Sequence, residues 1–185
     1  GSSPLYLPIS GINLKGMHTI RKISDAQAIL DRISSVNQVL IIGGGFVGLK
    51  LACHLKERGI TPVVLEKEAR LAPRMFDPRA SLFIIDLLRR REIPVETGVE
   101  VEEVLSKKDR VAGVRLKDGR TLLSQMIIQC LGVRPNVQFL SASGVEVEEG
   151  IPVNSAMETN ASGVYAAGDV TLTLDSITEE RFNNA

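Results

Sequence analysis

Three consecutive glycines, Gly43, Gly44 and Gly45, follow the apolar run "VLII" and open the stretch "GGGFVGLKLACHL". Glycine lacks a Cβ, so another molecule can approach its backbone closely, and the first N–H groups of a helix have no partners within that helix. A glycine-rich turn feeding a helix is therefore an anion site, and phosphate is the anion it suits. Gly43, Gly45 and Gly48 form Gly-x-Gly-x-x-Gly, and the next apolar run, "TPVVLE", ends in Glu66, 18 residues past Gly48. A carboxylate about 20 residues beyond such a turn suits the ribose hydroxyls of a dinucleotide. In that reading Gly43 makes the turn, Gly45 admits the pyrophosphate, and Gly48 lets helix meet strand. Phe46 and Val47, which open the helix after the turn, are expected to bind the cofactor with it.

Glu66 also bears on the choice of coenzyme. A 2′-phosphate about 4 Å from a carboxylate, at an effective dielectric of about 20, meets a repulsion of about 4 kcal/mol per charge pair, so NADH is expected over NADPH. Lys67, Arg70 and Arg74 could neutralise a 2′-phosphate or could be solvated loop charges. No Ser/His/Asp or paired-carboxylate arrangement assembles from local spacing, so no catalytic residue is assigned. His18 and His54 lack metal-spaced partners, and Cys53 and Cys130 fit no CxxC or zinc spacing, so no metal ligand is assigned either. The cysteines are expected to be small buried hydrophobes, and the run Arg89–Arg91 an exposed helix end.

These residues need a scaffold. "QVLII" reads as a strand buried on both sides in a parallel sheet, residues 46–58 as a helix with Val47, Leu51 and Leu55 on one face and Gly59 closing it, and "TPVVLE" as the second strand. Ahead of them, "PLYLPISGINLKGMH" reads as a linker, followed by a short helix that Ser24 and Gln27 cap and whose Ala28, Ile29 and Ile33 share a face. Asp77 and Pro78 open a further helix. From Pro94 to Ile128 apolar and polar residues alternate, with a turn at Asp118-Gly119, which predicts several antiparallel strands. A strand at "QMIIQCL" and a last one at "GVYAAGD" complete the pattern. The fold class expected is α/β: a Rossmann-type βαβ parallel sheet with helices and an antiparallel β-meander, in three layers.

At 185 residues and 44% hydrophobic, the chain has material for one well-packed domain. Its 22 basic and 22 acidic residues balance, leaving no electrostatic footprint for nucleic acid or a charged membrane. No apolar run approaches the roughly 18 residues of a membrane span, and no signal peptide is visible, so a cytoplasmic location is expected. The chain begins "GSSP" without Met and stops at "RFNNA", which suggests a piece of something longer.

In order, "GGGFVGLKLA", "EKEARLAPRMFDP", "LKDGRTL", "CLGVRPN" and "SGVYAAGD" resemble the pyridine nucleotide-disulfide oxidoreductase superfamily, most of all the branch of NADH oxidases, nitrite reductase flavoprotein subunits, and rubredoxin or ferredoxin reductases. The resemblance implies an NAD(H)-binding domain inserted into a FAD-binding domain. Residues 1–20 then match a lead-in from the FAD-binding part, 21–150 the NAD(H)-binding Rossmann domain, and 151–185 the return toward FAD. It also implies that Asp169 binds the flavin's ribityl chain and that Gly132 lies beside the nicotinamide nucleotide. The family commonly reads GGGYIGLE, so Phe46 keeps an aromatic ring without the hydroxyl, and Lys50 reverses a charge that helps position the nicotinamide. Lys50 is either a tolerated surface lysine or a contact to the cofactor or to a flavin-domain carboxylate.

The activity so implied is presentation of NADH to FAD for hydride transfer, in a chain that binds without turning over alone. Its partners would be NADH and the remaining FAD-binding part, with possible self-association through the terminal segments. Two alternatives are a non-catalytic nucleotide-sensing or interaction module and a self-sufficient NAD-dependent dehydrogenase.

Overall fold

Val39, Leu40, Ile41 and Ile42 are all buried, because their side chains alternate between two different layers. Val39 and Ile41 pack with the helices, and Leu40 and Ile42 with a small antiparallel sheet. A continuous apolar run in a strand is what covering on both faces demands.

The computed structural model describes residues 1–175, 177, 178 and 180–183. In chain order its elements are β1 (Ser2–Pro4), β2 (Met17–Thr19), α1 (Ile23–Ile33), β3 (Gln38–Ile42), α2 (Phe46–Glu57), β4 (Thr61–Glu66), α3 (Pro78–Arg90) and β5 (Val95–Thr97). There follow β6 (Val101–Lys107), β7 (Arg110–Leu116), β8 (Thr121–Leu123), β9 (Met126–Gln129), β10 (Val133–Pro135), β11 (Ile151–Pro152), β12 (Thr171–Leu174) and β13 (Arg181–Phe182), with a 3-10 turn at Gln138–Leu140. The chain divides into a larger unit, Tyr6–Leu131, and a smaller one formed by Gly1–Leu5 and Gly132–Ala185.

The larger unit is the expected α/β sandwich. Its central sheet has the order β2-β9-β3-β4-β5, with every pairing parallel. On one face lie Ile29 of α1, Leu49, Ala52 and Leu55 of α2, and Leu88 of α3. On the other, Val101, Val104, Val111, Val114 and Leu116 belong to the meander β6-β7-β8. β4 and β5 leave β3 in one direction while β9 and β2 lie in the other, so the sheet reverses its strand order between β3 and β9. In such sheets ligands bind beyond the carboxyl ends of the strands at that reversal, where Gly43–Gly45 follow β3.

Local chemistry explains the boundaries. Gly59, at φ 79, follows α2, and Ile60 N–H donates to Leu55 O at 3.1 Å, a left-handed glycine stop. The Asp77 carboxylate accepts from Ala80 N–H at 2.8 Å and Pro78 takes the first helical position, as expected. Several expectations are corrected. Asp25, not Ser24 with Gln27, anchors the start of α1: its carboxylate accepts from the N–H groups of Arg21 and Lys22. Ala28 is exposed, leaving Ile29 as the buried residue of that helix. The buried stripe of α2 runs through Gly48, Leu49, Ala52 and Leu55 rather than Val47, because its smallest residues give the closest approach to the sheet.

The predicted linker contributes Pro4 to β1, and Met17 and His18 to β2, which borrows its hydrogen bonding from β9 as an edge strand. Val95–Thr97 alternates like the meander yet pairs parallel with β4, since it follows a helix. Residues 6–20 fold within the larger unit, and 132–150 within the smaller.

In the smaller unit β1 pairs antiparallel with β10, while β12 pairs parallel with β11 and antiparallel with β13. Ile151, Val153 and Val170 form its core with Val137, Leu140, Val145 and Ala166. "GVYAAGD" is not a strand: Gly163 and Gly168 take positive φ at its two ends, and it makes only a bridge from Tyr165 to Glu158. The strand starts at Thr171. The expected return segment includes Ser176, Glu179, Asn184 and Ala185, which lie outside the described residues.

The edge strand β2 carries a pH-sensitive residue. His18 Nε2 is buried without a hydrogen-bond partner, and burial, reinforced by the charge of Arg32 and opposed by Asp25, lowers its pKa below the ordinary 6.5. The folded state thus favours neutral imidazole, and the unfolded chain binds more protons just below that value. Stability contributed by neutral His18 is present above 6.5 and is lost as pH falls below it. Urea midpoints measured at about pH 7.5 and about pH 5.5 are expected to drop on acidification, by less in His18→Leu than in the wild type.

Candidate functional site

The turn between β3 and α2 is held from below. Gly43 N–H donates to Leu65 O at 2.8 Å, and Ala72 N–H donates to Gly44 O at 3.0 Å. Glu66, at the carboxyl end of β4, is only 8% exposed. Its Oε2 accepts from Gly44 N–H at 2.6 Å and its Oε1 from Glu68 N–H at 2.8 Å. A carboxylate offers about four lone-pair sites, so acceptor capacity remains after these two bonds. The residue expected to meet the ribose therefore also ties the glycine turn to the neighbouring strand, a role its position at a strand end did not reveal.

The glycines differ in what they are for. A Cβ on Gly43, whose φ is 110, would stand 2.3 Å from Cys130 O. On Gly48 it would stand 2.1 Å from Gly43 O and 3.3 Å from Ile41 Cγ2. Gly44, which the spacing argument passes over, is also crowded, though by side chains rather than backbone: its Cβ would lie 2.5 Å from Leu71 Cδ2 and 3.1 Å from Glu66 Cβ. The unbroken triplet was its only signal. Gly45 is the exception, because a Cβ there meets nothing within 4 Å and its φ of −78 suits any residue. Packing within the protein does not require glycine at 45.

Gly45 is also the N-cap of α2, which has no side-chain cap and no acidic residue in its first turn. Phe46 and Val47 follow it at 56% and 52% exposure. Lys50 is exposed, with Nζ 6.0 Å from the centroid of the Phe46 ring. Beyond Glu66, Lys67 is exposed and lies 3.9 Å from Glu68, and Arg74 is exposed without an ion pair among the described residues. Arg70 is half-buried rather than a solvated loop charge. Its guanidinium donates to Phe76 O, to Pro73 O at 2.9 Å and to Ser81 Oγ at 3.1 Å, fastening the loop that turns through Ala72 at φ 44.

Gly132 and Asp169 belong to the smaller unit. Gly132, at φ 90, accepts from Leu5 N–H through its carbonyl, and Asp169 Oδ2 accepts from Ser2 Oγ at 2.8 Å. His54 makes an exposed pair with Glu57, and Arg89 and Arg90 pair with Asp86 at an exposed helix end. Among the described residues no group of three or more His, Cys, Asp or Glu could hold a metal, and no helix is long and apolar enough to cross a membrane. Both cysteines are half-buried against the core. Burial pushes the Cys130 thiol up to about 12, so thiolate is scarce at neutral pH. Iodoacetamide at about pH 8 is expected to leave Cys130 unmodified in the folded chain and to alkylate it in urea, as read by mass spectrometry.

A family model described as pyridine nucleotide-disulphide oxidoreductase matches residues 1–184. The chain belongs to that family. Among members of this pyridine nucleotide-disulphide oxidoreductase family, an NADH oxidase from Methanocaldococcus jannaschii is 33% identical over 98% of this chain and 41% of its own length. The crystal structure of the ferredoxin reductase for the CYP199A2 system from Rhodopseudomonas palustris superposes with a TM-score of 0.93, at 28% identity, over 99% of this chain and 45% of that one. A FAD-dependent pyridine nucleotide-disulphide oxidoreductase from Desulfovibrio vulgaris gives a TM-score of 0.87 at 27% identity, over 99% of this chain and 47% of that one. The chain spans less than half the length of each of these oxidoreductases.

Proposed function

We propose that the larger unit binds NAD(H) and that, within a FAD-dependent NAD(P)H oxidoreductase, it presents the nicotinamide for hydride transfer to flavin. The observation that carries this reading is Gly45, a glycine with open space around it and an unremarkable φ at the uncapped start of a helix. Packing leaves its missing Cβ unexplained, and a diphosphate seated on the N–H groups of Gly45, Phe46 and Val47 explains it. Glu66 then offers its remaining lone pairs to the adenosine ribose, while Lys67 and Arg74 flank the same end.

Gly132 and Asp169 enter through the family rather than through contacts. Gly132 would border the nicotinamide nucleotide, and Asp169, already joined to Ser2, would meet the ribityl chain of FAD. The sequence contains a single Gly-x-Gly-x-x-Gly turn, and the proposal gives it to NAD(H). FAD would supply the hydride acceptor, and this chain's part is to bind and orient the donor, so its contribution to rate is positional. By the family resemblance the proposed division of labour falls at residues 20/21 and 150/151, whereas the compact units divide at 5/6 and 131/132.

The test is a titration with NADH and NADPH, followed by coenzyme fluorescence. The chain contains no tryptophan to interfere. Saturable binding of NADH, tighter than NADPH, is expected. Absence of binding to either coenzyme by folded chain would refute the proposal.

A further inference from the structure

Lys50 occupies the wrong end of a helix for a cation. It lies in the opening turns of α2, where the unpaired N–H groups carry partial positive charge and a cation is disfavoured. Side chains on a helix lean toward its N-terminus, so a lysine one turn in reaches back over the first turn rather than away from it. Accordingly, Nζ of Lys50 is 6.0 Å from the ring centroid of Phe46, the first residue of the helix. No carboxylate compensates it. Lys50 makes no ion pair among the described residues, and the first turn holds no acidic residue. The buried carboxylate of Glu66 is engaged by the N–H groups of Gly44 and Glu68.

We infer that Lys50 is a phosphate-binding residue of the dinucleotide site, its ammonium reaching back along α2 to the diphosphate carried by the amides of Gly45, Phe46 and Val47. This rests on the dinucleotide reading above and adds a residue and a mode of recognition to it. The exposed ring of Phe46 is the platform that keeps the ammonium at the level of those amides, through a cation–π contact. The amides supply fixed partial charge, and Lys50 supplies one full charge that anions in solution screen. Part of the affinity should therefore depend on salt, and only for ligands that carry phosphate.

The test uses the full chain as wild type, Lys50→Met and Lys50→Arg. Met keeps a flexible apolar stem against Phe46 without the charge, and Arg keeps the charge. Binding of NADH is measured calorimetrically at low and high salt, and binding of adenosine, which has no phosphate, by NMR. In Lys50→Met the NADH dissociation constant should rise about three- to tenfold at low salt, with a shallower salt dependence, as the loss of one charge-assisted contact predicts. Lys50→Arg should restore most of both, and adenosine binding should be equal in all three proteins.

A Lys50→Met protein with wild-type NADH affinity and salt dependence would overturn the inference. So would an equal loss for adenosine, which would mark a structural role. If the wild type itself binds no NADH, the dinucleotide reading fails first and takes this inference with it, an outcome distinct from binding that ignores Lys50.

Discussion

Gly45→Ala is expected to fold normally and to bind NADH about 10- to 100-fold more weakly, the loss that goes with one charge-assisted hydrogen bond of about 1.5–3 kcal/mol. The first half of that expectation comes from the open space around the position and its φ of −78. Alanine is a poorer N-cap than glycine, so a stability cost of about 1 kcal/mol or less is anticipated. The second half comes from the methyl group standing where a phosphate oxygen would approach the amides. Gly48→Ala supplies the contrast. Its methyl would be placed 2.1 Å from Gly43 O, a collision with backbone that no rotamer relieves. A loss of about 3 kcal/mol or more in folding stability is expected there. Urea denaturation and coenzyme titration on the two variants separate the roles. Unchanged NADH affinity in a folded Gly45→Ala protein would remove the reason for assigning phosphate to this turn.

Glu66→Gln is expected to be the most disruptive isosteric change in the site. Both carboxylate oxygens accept backbone N–H groups, from Gly44 at 2.6 Å and Glu68 at 2.8 Å. An amide can present an oxygen to only one of them, so either orientation turns an NH2 group toward a donor. With Glu66 at 8% exposure and Gly44 also buried, water does not freely replace the lost acceptor. The cost anticipated is about 1–3 kcal/mol in stability. For binding, two effects add: the glycine turn loses its tether, and the negative charge that would repel a 2′-phosphate is gone. NADH affinity should fall by about tenfold, and the preference for NADH over NADPH should narrow, because the Coulomb penalty of about 4 kcal/mol per charge pair is removed. Stability equal to wild type, together with an unaltered coenzyme ratio, would show that Glu66 neither holds the turn nor reads the ribose.

What the sequence made legible follows from where the free energy lies. β3, α2 and β4 are marked by strong local patterns, namely a fully apolar run, a glycine turn and a second run, and all three form as expected. α3 is equally legible because Asp77 and Pro78 mark its start chemically. The three-layer arrangement follows from alternation, since Leu40 and Ile41 are both fully buried yet belong to different clusters. Two of the misreadings share a cause. β2 and β5 are short strands of three residues each whose existence depends on a neighbour already in place, β9 for one and β4 for the other. Local propensity says little about such pairing.

The site divides the same way. The spacing of Gly43, Gly45, Gly48 and Glu66 marks the place, but spacing alone does not tell which glycines the fold itself needs. That distinction required the Cβ contacts, which constrain Gly43, Gly44 and Gly48 and leave Gly45 unconstrained. Nor could spacing tell the three loop cations apart. Arg70 is spent on Phe76, Pro73 and Ser81, whereas Lys67 and Arg74 remain at the surface.

The most direct test is to follow the backbone amide resonances of the chain while NADH is added. Binding at the proposed turn predicts that the largest saturable shifts fall on Gly45, Phe46 and Val47, with a second group around Glu66 and Glu68. Shifts concentrated on other residues, or none at saturating coenzyme, would contradict a diphosphate held at the start of α2.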